Sequence, residues 1–420
     1  MAHDILIVGA GAAGLFAARE LAQAGRKVFI VEARNRIGGR IYPLPESEFG
    51  YPAQGGAEFI HGEAAISREI LKTAGATFEH SGEWWSTFDG EPRSDESPTP
   101  HNESLEEKLK ALKEDMPIAA FFDHYLGEPK YARLRDYIFR RVEGYDAADP
   151  ARFSAFALRE QIFGEGGWGD LMAKEGYTLL LQALERDWAK SGVEIILNRE
   201  VRRIELGARC VKLTCADRSI FEASQALLTV PLPILAKIEF KPALPEKREA
   251  ANGIGFGTVI KILLRFKDRW WVKARGRDFS RMSFVFSKET VPTWWTQYPE
   301  PHATLTGWVA GPKAQRLSNL SEAELLERAL ASLANIFQVE VERLRGELLV
   351  GRVVNWTEEP FTFGAYSYPT PQTKAAVEEL LKPVDGRLFF AGEALYHGET
   401  GTVEAALSSG RDAAKRMLGR

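Results

Sequence analysis

Residues 4–15 read DILIVGAGAAGL, a short apolar run that leads into three closely spaced glycines. The apolar run is rich in β-branched residues, which is typical of a buried parallel strand. Gly9, Gly11 and Gly14 give the pattern G-x-G-x-x-G, and a helical pattern follows up to Gly25. A strand, a glycine turn and a helix in this order bind the pyrophosphate of a dinucleotide. The stretch predicts a Rossmann-type domain, with Ala13 of the same turn as a further cofactor contact.

An acidic residue ends the second predicted strand. This strand covers residues 27–31 and is followed by Glu32. An acid about 20 residues beyond the first glycine binds the ribose hydroxyls in dinucleotide-binding folds. A lone glycine pattern also occurs in ordinary tight turns, but the strand, the helix and Glu32 together favour a dinucleotide site.

A second glycine pair with arginines follows directly. Residues 32–40 read EARNRIGGR, and two glycines with nearby cations suit a second pyrophosphate contact. This segment resembles the signature of the FAD-dependent amine oxidases, which include monoamine oxidases, polyamine and spermine oxidases and lysine-specific histone demethylases. The resemblance implies FAD as cofactor, with these contacts in the segment: Glu32, Ala33, Arg34, Gly39 and Arg40.

The segment at residues 55–62 reads GGAEFIHG and is similar to one that lines the flavin ring in polyamine and spermine oxidases. The resemblance implies that the backbone passes along the flavin at these residues: Gly56, Ala57, Glu58 and Phe59. His61 has two open interpretations. It is either a structural histidine or a group on the substrate side that titrates near neutral pH.

A lysine lies within an apolar strand pattern at residues 259–266, between Ile260 and Ile262. Burying an isolated lysine is costly unless it has a partner or a function. The preceding residues 255–257 read GFG, and the family places the lysine of such a segment where it holds a water against flavin N5. The resemblance therefore implies that role for Lys261. The alternative is a lysine that extends to solvent.

The C-terminal third contains further matching segments. The resemblance implies that Trp356 packs by the flavin edge and that Tyr366 forms one wall of an aromatic slot for the amine. Monoamine oxidases attach flavin to a cysteine just before that tyrosine. Ala365 stands there, so the FAD is expected to be noncovalent. The family's second slot tyrosine corresponds to Thr402, and Tyr396 is left open as a substitute.

Five other residues, in three segments, are implied cofactor contacts. Residues 388–393 read LFFAGE, so Gly392 and Glu393 are expected beside the ribityl and pyrophosphate groups. Thr402 is a suitable N-cap for a last helix, and Val403 would follow at its start. Val201, where the chain returns to the FAD domain, is expected to meet the adenine. Trp84, Trp85 and Trp168 are candidates for the substrate entrance, and packing in the core or on a surface is the alternative for each.

Composition restricts which class of protein this chain belongs to and which kinds of partner it is expected to bind. The chain has 420 residues, a formal net charge of −4 and 45% hydrophobic residues, as expected for a two-domain globular protein. Nothing in it predicts a nucleic-acid partner, a membrane partner or a metal. Its two cysteines, Cys210 and Cys215, do not suggest a disulfide framework, and no signal peptide is visible. We expect a cytoplasmic protein; the oligomeric state stays open.

These features predict an α/β fold with a discontinuous FAD-binding domain at 1–80, 175–240 and 382–420. This domain would combine a parallel sheet with a small antiparallel sheet. The rest, 81–174 and 241–381, would form an α+β substrate domain. The implied reaction is oxidation of an amine, polyamine-like or another primary or secondary amine, to an imine, with O2 reduced to H2O2. A desaturase or protoporphyrinogen oxidase acting on an apolar substrate and a non-catalytic flavoprotein are the alternatives.

Overall fold

The computed structural model describes residues 3–94, 101–164, 171–396 and 400–419. In this part of the chain the strands are, in order, His3–Val8 (β1), Val28–Val31 (β2), Phe59–Ile60 (β3), Phe78–His80 (β4), Glu83–Ser86 (β5), Leu171–Ala173 (β6), Glu194–Ile196 (β7), Val201–Leu206 (β8), Val211–Cys215 (β9), Ile220–Leu228 (β10), Glu239–Lys241 (β11), Gly255–Phe256 (β12), Val259–Phe266 (β13), Lys273–Ala274 (β14), Arg277–Asp278 (β15), Met282–Phe286 (β16), Thr293–Trp295 (β17), Thr304–Ala310 (β18), Leu348–Asn355 (β19), Ser367–Tyr368 (β20) and Leu388–Phe390 (β21).

The α-helices of the same residues are Ala12–Gln23 (α1), Glu46–Phe49 (α2), Ala65–Thr73 (α3), Asn102–Ala111 (α4), Ile118–Tyr125 (α5), Ala132–Tyr145 (α6), Ala155–Phe163 (α7), Thr178–Ser191 (α8), Leu232–Leu235 (α9), Pro245–Gly253 (α10), Gly311–Leu317 (α11), Glu322–Phe337 (α12), Val341–Glu347 (α13), Thr373–Leu381 (α14) and Val403–Met417 (α15).

The first sheet is built around β1. Strand β1 pairs in parallel with β10 on one side and β2 on the other, and β2 pairs in parallel with β7. β21 pairs in parallel with β10. Ile5, Leu6 and Ile7 are fully buried, because helices and loops cover both faces of this sheet. The predicted α/β fold with a parallel sheet is confirmed.

The antiparallel strands extend this same sheet. β10 continues into antiparallel pairing with β9, which pairs antiparallel with β8, and β11 closes the edge beside β8. The expected small antiparallel sheet is therefore hydrogen-bonded to the parallel one through the long strand β10.

Helix α1 packs closely on the last helix, α15. A side chain at Gly410 of α15 would place its Cβ 2.3 Å from the carbonyl oxygen of Ala13, so only glycine permits this crossing. Together with α3 and α8, these helices bury one face of the sheet. The close crossing places the middle of α15 against the first turn of α1, next to the glycine turn.

The second sheet contains the strand with Lys261. β13 pairs antiparallel with β18 and β19, and the order continues through β17 and β16 to β5. Helix α12 covers one face with a dense core that includes Trp271 and Trp294. Lys261 lies on the central strand β13, directly opposite Trp308 of β18.

Segments of the predicted FAD-binding domain supply nearly all of the first sheet. Its strands come from residues 3–31, 194–241 and 388–390. A small sheet, in the order β3-β6-β4, joins strands from both sides of the predicted boundaries, since β6 lies at residues 171–173. The division into two domains itself stays a prediction.

Candidate active site

The glycine turn leaves open space at the end of β1. Gly9 has φ +106°, and the Thr229 hydroxyl lies 2.9 Å from the Val8 carbonyl oxygen. A Cβ at Gly14 would come within 2.1 Å of the Gly9 oxygen, whereas one at Gly11 would meet nothing within 4 Å. Helix α1 has no side-chain N-cap, so its first N–H groups have no capping side chain. This cradle fits a phosphate group.

Glu32 is fixed against the glycine turn. Its side chain is buried, with Oε2 accepting from the Ala10 N–H at 2.7 Å and Oε1 from the Arg34 N–H at 2.8 Å. The Glu32 carbonyl accepts from the Arg199 N–H at 2.8 Å, which brings the start of β8, at Val201, near the same strand end. The predicted ribose and adenine contacts, Glu32 and Val201, therefore lie near one another.

The second glycine pair lies against the first turn. The Gly38 N–H donates to the Ala10 carbonyl at 2.8 Å, and a Cβ at Gly39 would stand 3.2 Å from Gly11 Cα. Arg34, next to the half-buried Ala33, pairs with Glu359. The guanidinium of Arg34 is thus held by the protein rather than turned freely to the cradle.

Arg40 connects this segment to the C-terminal part of the chain. Its Nη1 donates to Glu393 Oε1 at 2.8 Å and to the Ala365 carbonyl at 2.6 Å. Glu393 is buried and also accepts from the Ser367 hydroxyl at 2.5 Å and from the Gly401 N–H at 3.0 Å. Glu393 therefore holds Arg40, Ser367 and Gly401 together beside the glycine turn. Its direct contact with the cofactor stays a prediction.

The start of α15 faces the same region. Thr402 Oγ1 accepts from the Ala405 N–H at 3.0 Å, so the predicted N-cap is present and Val403 is the first helical residue. A pocket opens nearby, lined in part by Arg40, Thr229 and Gly392. Together with the uncapped α1 and the open side of Gly11, these residues fit a dinucleotide.

Lys261 is buried and paired. Its side chain is 1% exposed, and Nζ donates to Glu58 Oε2 at 2.6 Å and to the Gly56 carbonyl at 3.1 Å. Burial lowers the pKa of Lys261, while the carboxylate of Glu58 acts to raise it. The alternative of a lysine extending to solvent is excluded. Glu58, predicted as a cofactor contact, directs its carboxylate to Lys261 and to Gln297, which donates to Oε1 at 2.8 Å.

Gly56 has close neighbours on two sides. A Cβ there would lie 1.9 Å from the Arg40 carbonyl oxygen and 3.3 Å from the Trp356 ring. The Trp356 indole N–H donates to the Gly55 carbonyl at 3.0 Å, and the Ala57 N–H donates to the backbone carbonyl of Arg40. The predicted flavin-edge residues are therefore packed together, next to the lysine's own acceptor.

Tyr366 joins two sequence segments at the site. The N–H of Gly257 donates to its carbonyl at 2.7 Å, which ties residues 255–257 to the segment at 363–368. The Tyr366 hydroxyl donates to the Tyr145 carbonyl at 2.7 Å. Burial raises the pKa of Tyr366 well above its usual value, so the phenol stays neutral.

Six side chains then form a closed series of contacts, which we call the aromatic circle. Ring centroids follow one another at 6.5, 5.8, 5.5, 6.3 and 5.8 Å from Tyr366 through Trp308, Trp295, Phe59 and His61 to Tyr145. The hydrogen bond from the Tyr366 hydroxyl to the backbone carbonyl of Tyr145 closes the series. Lys261 Nζ lies 5.2 Å from the Trp295 ring centroid, so the aromatic circle stands beside the lysine.

Sequence reasoning missed four of these site residues: Tyr145, Trp295, Gln297 and Trp308. The alternation of side chains along a strand was a usable signal, because fully buried Trp294 must point away from the face that Trp295 occupies. Of the entrance candidates, Trp84 contacts Phe284, a neighbour of Phe59, and Trp85 is buried against Phe279. Trp168 lies outside the described residues.

The described residues contain neither a candidate metal cluster nor a helix that could span a membrane. No group of three or more histidine, cysteine, aspartate or glutamate side chains there could hold a metal ion. Nor is any helix of residues 3–94, 101–164, 171–396 and 400–419 both long and apolar enough to cross a membrane.

Comparison with known proteins identifies the family. The family model of the flavin containing amine oxidoreductases matches residues 12–418. Polyamine oxidase 5 of Oryza sativa subsp. japonica is 28% identical, over 98% of this chain and 87% of its own length. Human lysine-specific histone demethylase 2 is 27% identical over 98% of this chain, which spans only 53% of that protein.

Solved structures show the same fold. Cyclohexylamine oxidase from Brevibacterium oxydans IH-35A superposes with a TM-score of 0.82 at 21% identity, over the full length of both chains. Wild-type putrescine oxidase bound to putrescine gives 0.79 at 21% identity, again over both full chains. This chain belongs to the flavin containing amine oxidoreductase family, which confirms the predicted enzyme class and the FAD cofactor.

Proposed function

We propose that this flavin-containing amine oxidoreductase oxidises a primary or secondary amine, polyamine-like in character, with O2 as electron acceptor. The observation that carries the proposal is Lys261, buried and hydrogen-bonded to the Gly56 backbone beside the aromatic circle. The similarity to a polyamine oxidase and to a structure holding putrescine supports the substrate class.

The chemistry that FAD supplies when bound is removal of a hydride from the carbon beside the amine nitrogen and transfer of two electrons to O2, giving an imine and H2O2. The protein's own residues bind and orient. Gly9, Gly11, Gly14 and Glu32 would hold the dinucleotide, while Gly56 and Trp356 would border its ring. Water then hydrolyses the imine to an aldehyde or ketone and releases the nitrogen as an amine or ammonia.

Lys261 would hold a water at the reacting face. An ammonium has three N–H donors, and Glu58 and the Gly56 carbonyl account for two of them. The third donor remains for a water molecule. Because the lysine is fixed at two points, the position of that water is defined as well.

The aromatic circle would admit and orient the amine. Aromatic faces attract an ammonium group, and Tyr366 and Trp308 lie nearly parallel, with 17° between their planes. Trp308 would therefore form the second aromatic wall of the slot, because position 402 holds a threonine instead of the family's tyrosine. His61 belongs to the same circle, which supports a place on the substrate side. The amine must be neutral to lose a hydride, so the rate should rise with pH through its pKa.

A peroxide assay with purified holoenzyme and a panel of mono-, di- and polyamines tests this function. We expect H2O2 with at least one di- or polyamine. A desaturase, a protoporphyrinogen oxidase or a non-catalytic flavoprotein would give no peroxide with any amine. The division into two domains and a cytoplasmic location also remain proposals.

Lys261→Met tests the lysine. Methionine fills similar volume without N–H donors, so the variant should keep its flavin absorbance and lose turnover by about 100-fold or more. Lys267→Met serves as the matched control, because Lys267 is a surface lysine that bonds the Gly346 carbonyl. Unchanged turnover in Lys261→Met would remove Lys261 from the mechanism.

A further inference from the structure

The carboxylate of Glu58 is divided between two partners. One oxygen accepts from Lys261 Nζ at 2.6 Å, and the other accepts from the Gln297 amide at 2.8 Å. The side chains of Lys261 and Glu58 are 1% and 8% exposed. Two directed hydrogen bonds on opposite oxygens fix the plane of the carboxylate, so its orientation does not depend on solvent.

This pair determines whether the lysine is charged. Burial alone favours the neutral amine and lowers the pKa of Lys261, whereas the adjacent carboxylate favours the ammonium. A buried charge without a partner is strongly disfavoured. Removing the charge of Glu58 would therefore shift the lysine toward its neutral form and release one of its two fixed N–H donors.

We propose that Glu58 is the positioning residue of Lys261: it holds the lysine as an ammonium and aims its third N–H donor at the reacting face. The proposal rests on the function proposed above. It differs from the predicted role of Glu58 as a cofactor contact, because the carboxylate acts through the lysine. Gln297 completes the arrangement by orienting the carboxylate.

Glu58 also borders a polar pocket. Besides Glu58 and Gln297, this pocket is lined by groups that titrate or carry charge: Tyr51, Glu79, Lys174, Glu300 and His302. Its described lining shares no residue with the aromatic circle.

The first test measures the lysine directly in protein without cofactor. Lysine labelled at Cε with an NMR-active carbon is incorporated, and the resonance missing from Lys261→Met assigns the Lys261 signal. In Glu58→Gln this signal should titrate at a pH about one unit or more below that of the parent protein. Glu79→Gln, a carboxylate of the same pocket that does not contact Lys261, should leave the titration unchanged.

Glu58→Asp provides a second variant that keeps the charge. Its carboxylate is one methylene shorter and stands farther from Nζ, so the Lys261 signal should titrate between those of the parent and Glu58→Gln. If the signal titrates at the parent pH in both variants, the proposal is overturned.

The second test uses holoenzyme. Glu58→Gln should slow flavin reduction by an amine on the order of 10-fold at neutral pH. Losses of this size follow in metalloenzymes when a residue that only orients a metal ligand is mutated, and Glu58 would orient Lys261 in the same indirect way. The KM and the amount of bound flavin should stay unchanged, and Glu58→Asp should recover part of the rate. An unaltered rate in Glu58→Gln would contradict the positioning role. If no amine reduces the parent enzyme, the proposed function fails, while the NMR titration still decides the role of Glu58.

Discussion

At the scale of single residues, the site depends on charged side chains that the fold places in pairs. Lys261 has Glu58 as its partner, 203 residues away in the sequence. Arg40 has Glu393, 353 residues away. Each cation is therefore predictable as an unusual residue in an apolar or glycine-rich segment, whereas its partner is fixed by the tertiary structure.

Trp308 tests the aromatic circle. Trp308→Ala should raise the KM for an amine roughly 3- to 30-fold, since one aromatic contact with an ammonium contributes about 0.5–2 kcal/mol. Trp308→Phe keeps an aromatic face and loses only the indole hydrogen bond to the Gly144 carbonyl, so it should retain most of the affinity. Steady-state kinetics at equal flavin content measures both. Equal KM values in all three proteins would exclude Trp308 from the slot.

Asp146 gives a prediction for stability against pH. This carboxyl is buried at the end of α6, accepts from the Gln161 amide at 2.7 Å, and has a pKa raised by burial to about 7. Unfolded, it titrates near pH 4. Between these values the folded state holds a proton that the unfolded state has released, so this group lowers the free energy of unfolding as pH rises from 4 to 7.

In the Asp146→Asn variant the side chain at position 146 cannot ionise, but it keeps an oxygen that can accept the hydrogen bond from Gln161. Relative to the parent, its free energy of unfolding should therefore increase by roughly 1–3 kcal/mol between pH 5 and pH 8. Urea unfolding at the two pH values measures this change. A difference between the two proteins that is the same at both pH values would show that Asp146 is ionised throughout.

At the scale of elements, two helices have comparable N-caps, but only one of these caps lies at the proposed cofactor site. Thr402 caps α15, which begins at the proposed cofactor site, and Ser321 caps α12 with a reciprocal bond from its own N–H to Glu324. Both caps satisfy first-turn N–H groups and are of similar energetic value. Loss of the Thr402 cap is therefore expected to affect the cofactor, whereas loss of the Ser321 cap is not.

Thr402→Ala should lower the free energy of unfolding by about 0.5–2 kcal/mol and also weaken flavin binding, because the start of α15 frays. Ser321→Ala should cost a similar amount of stability and leave flavin binding unchanged. Chemical denaturation and flavin titration of cofactor-free protein measure the two effects. Equal flavin affinity in both variants would argue against α15 as part of the cofactor site.

Local sequence patterns predicted several elements well. The β-branched run at 259–266 is strand β13, and the helical pattern before Gly25 is helix α1. A helical pattern extends over residues 63–80, but helix α3 ends at Thr73 and Phe78–His80 forms strand β4. Strand β4 is held by pairing with β6, nearly 100 residues later, and no local pattern contains that information.

At the scale of the whole molecule, the chain passes through the first sheet three times and closes the site with its last helix. The parts recognisable from sequence were those whose chemistry is local: the glycine turn, Glu32 and the residue before Tyr366. The aromatic circle was not recognisable, because its members come from β3, α6, β17, β18 and neighbouring loops that meet only in the folded chain. The proposed cofactor site was thus predictable in outline, and the proposed substrate slot mostly was not.

The central claim is that FAD lies along the opening glycine turn and takes electrons from an amine bound beside Lys261. Anaerobic mixing of the purified holoenzyme with each amine of the panel, followed by visible flavin absorbance, tests it most directly. The account predicts a yellow protein whose absorbance is bleached by at least one di- or polyamine. Flavin that stays oxidised with every amine, or colourless protein that cannot be reconstituted with FAD, would contradict it.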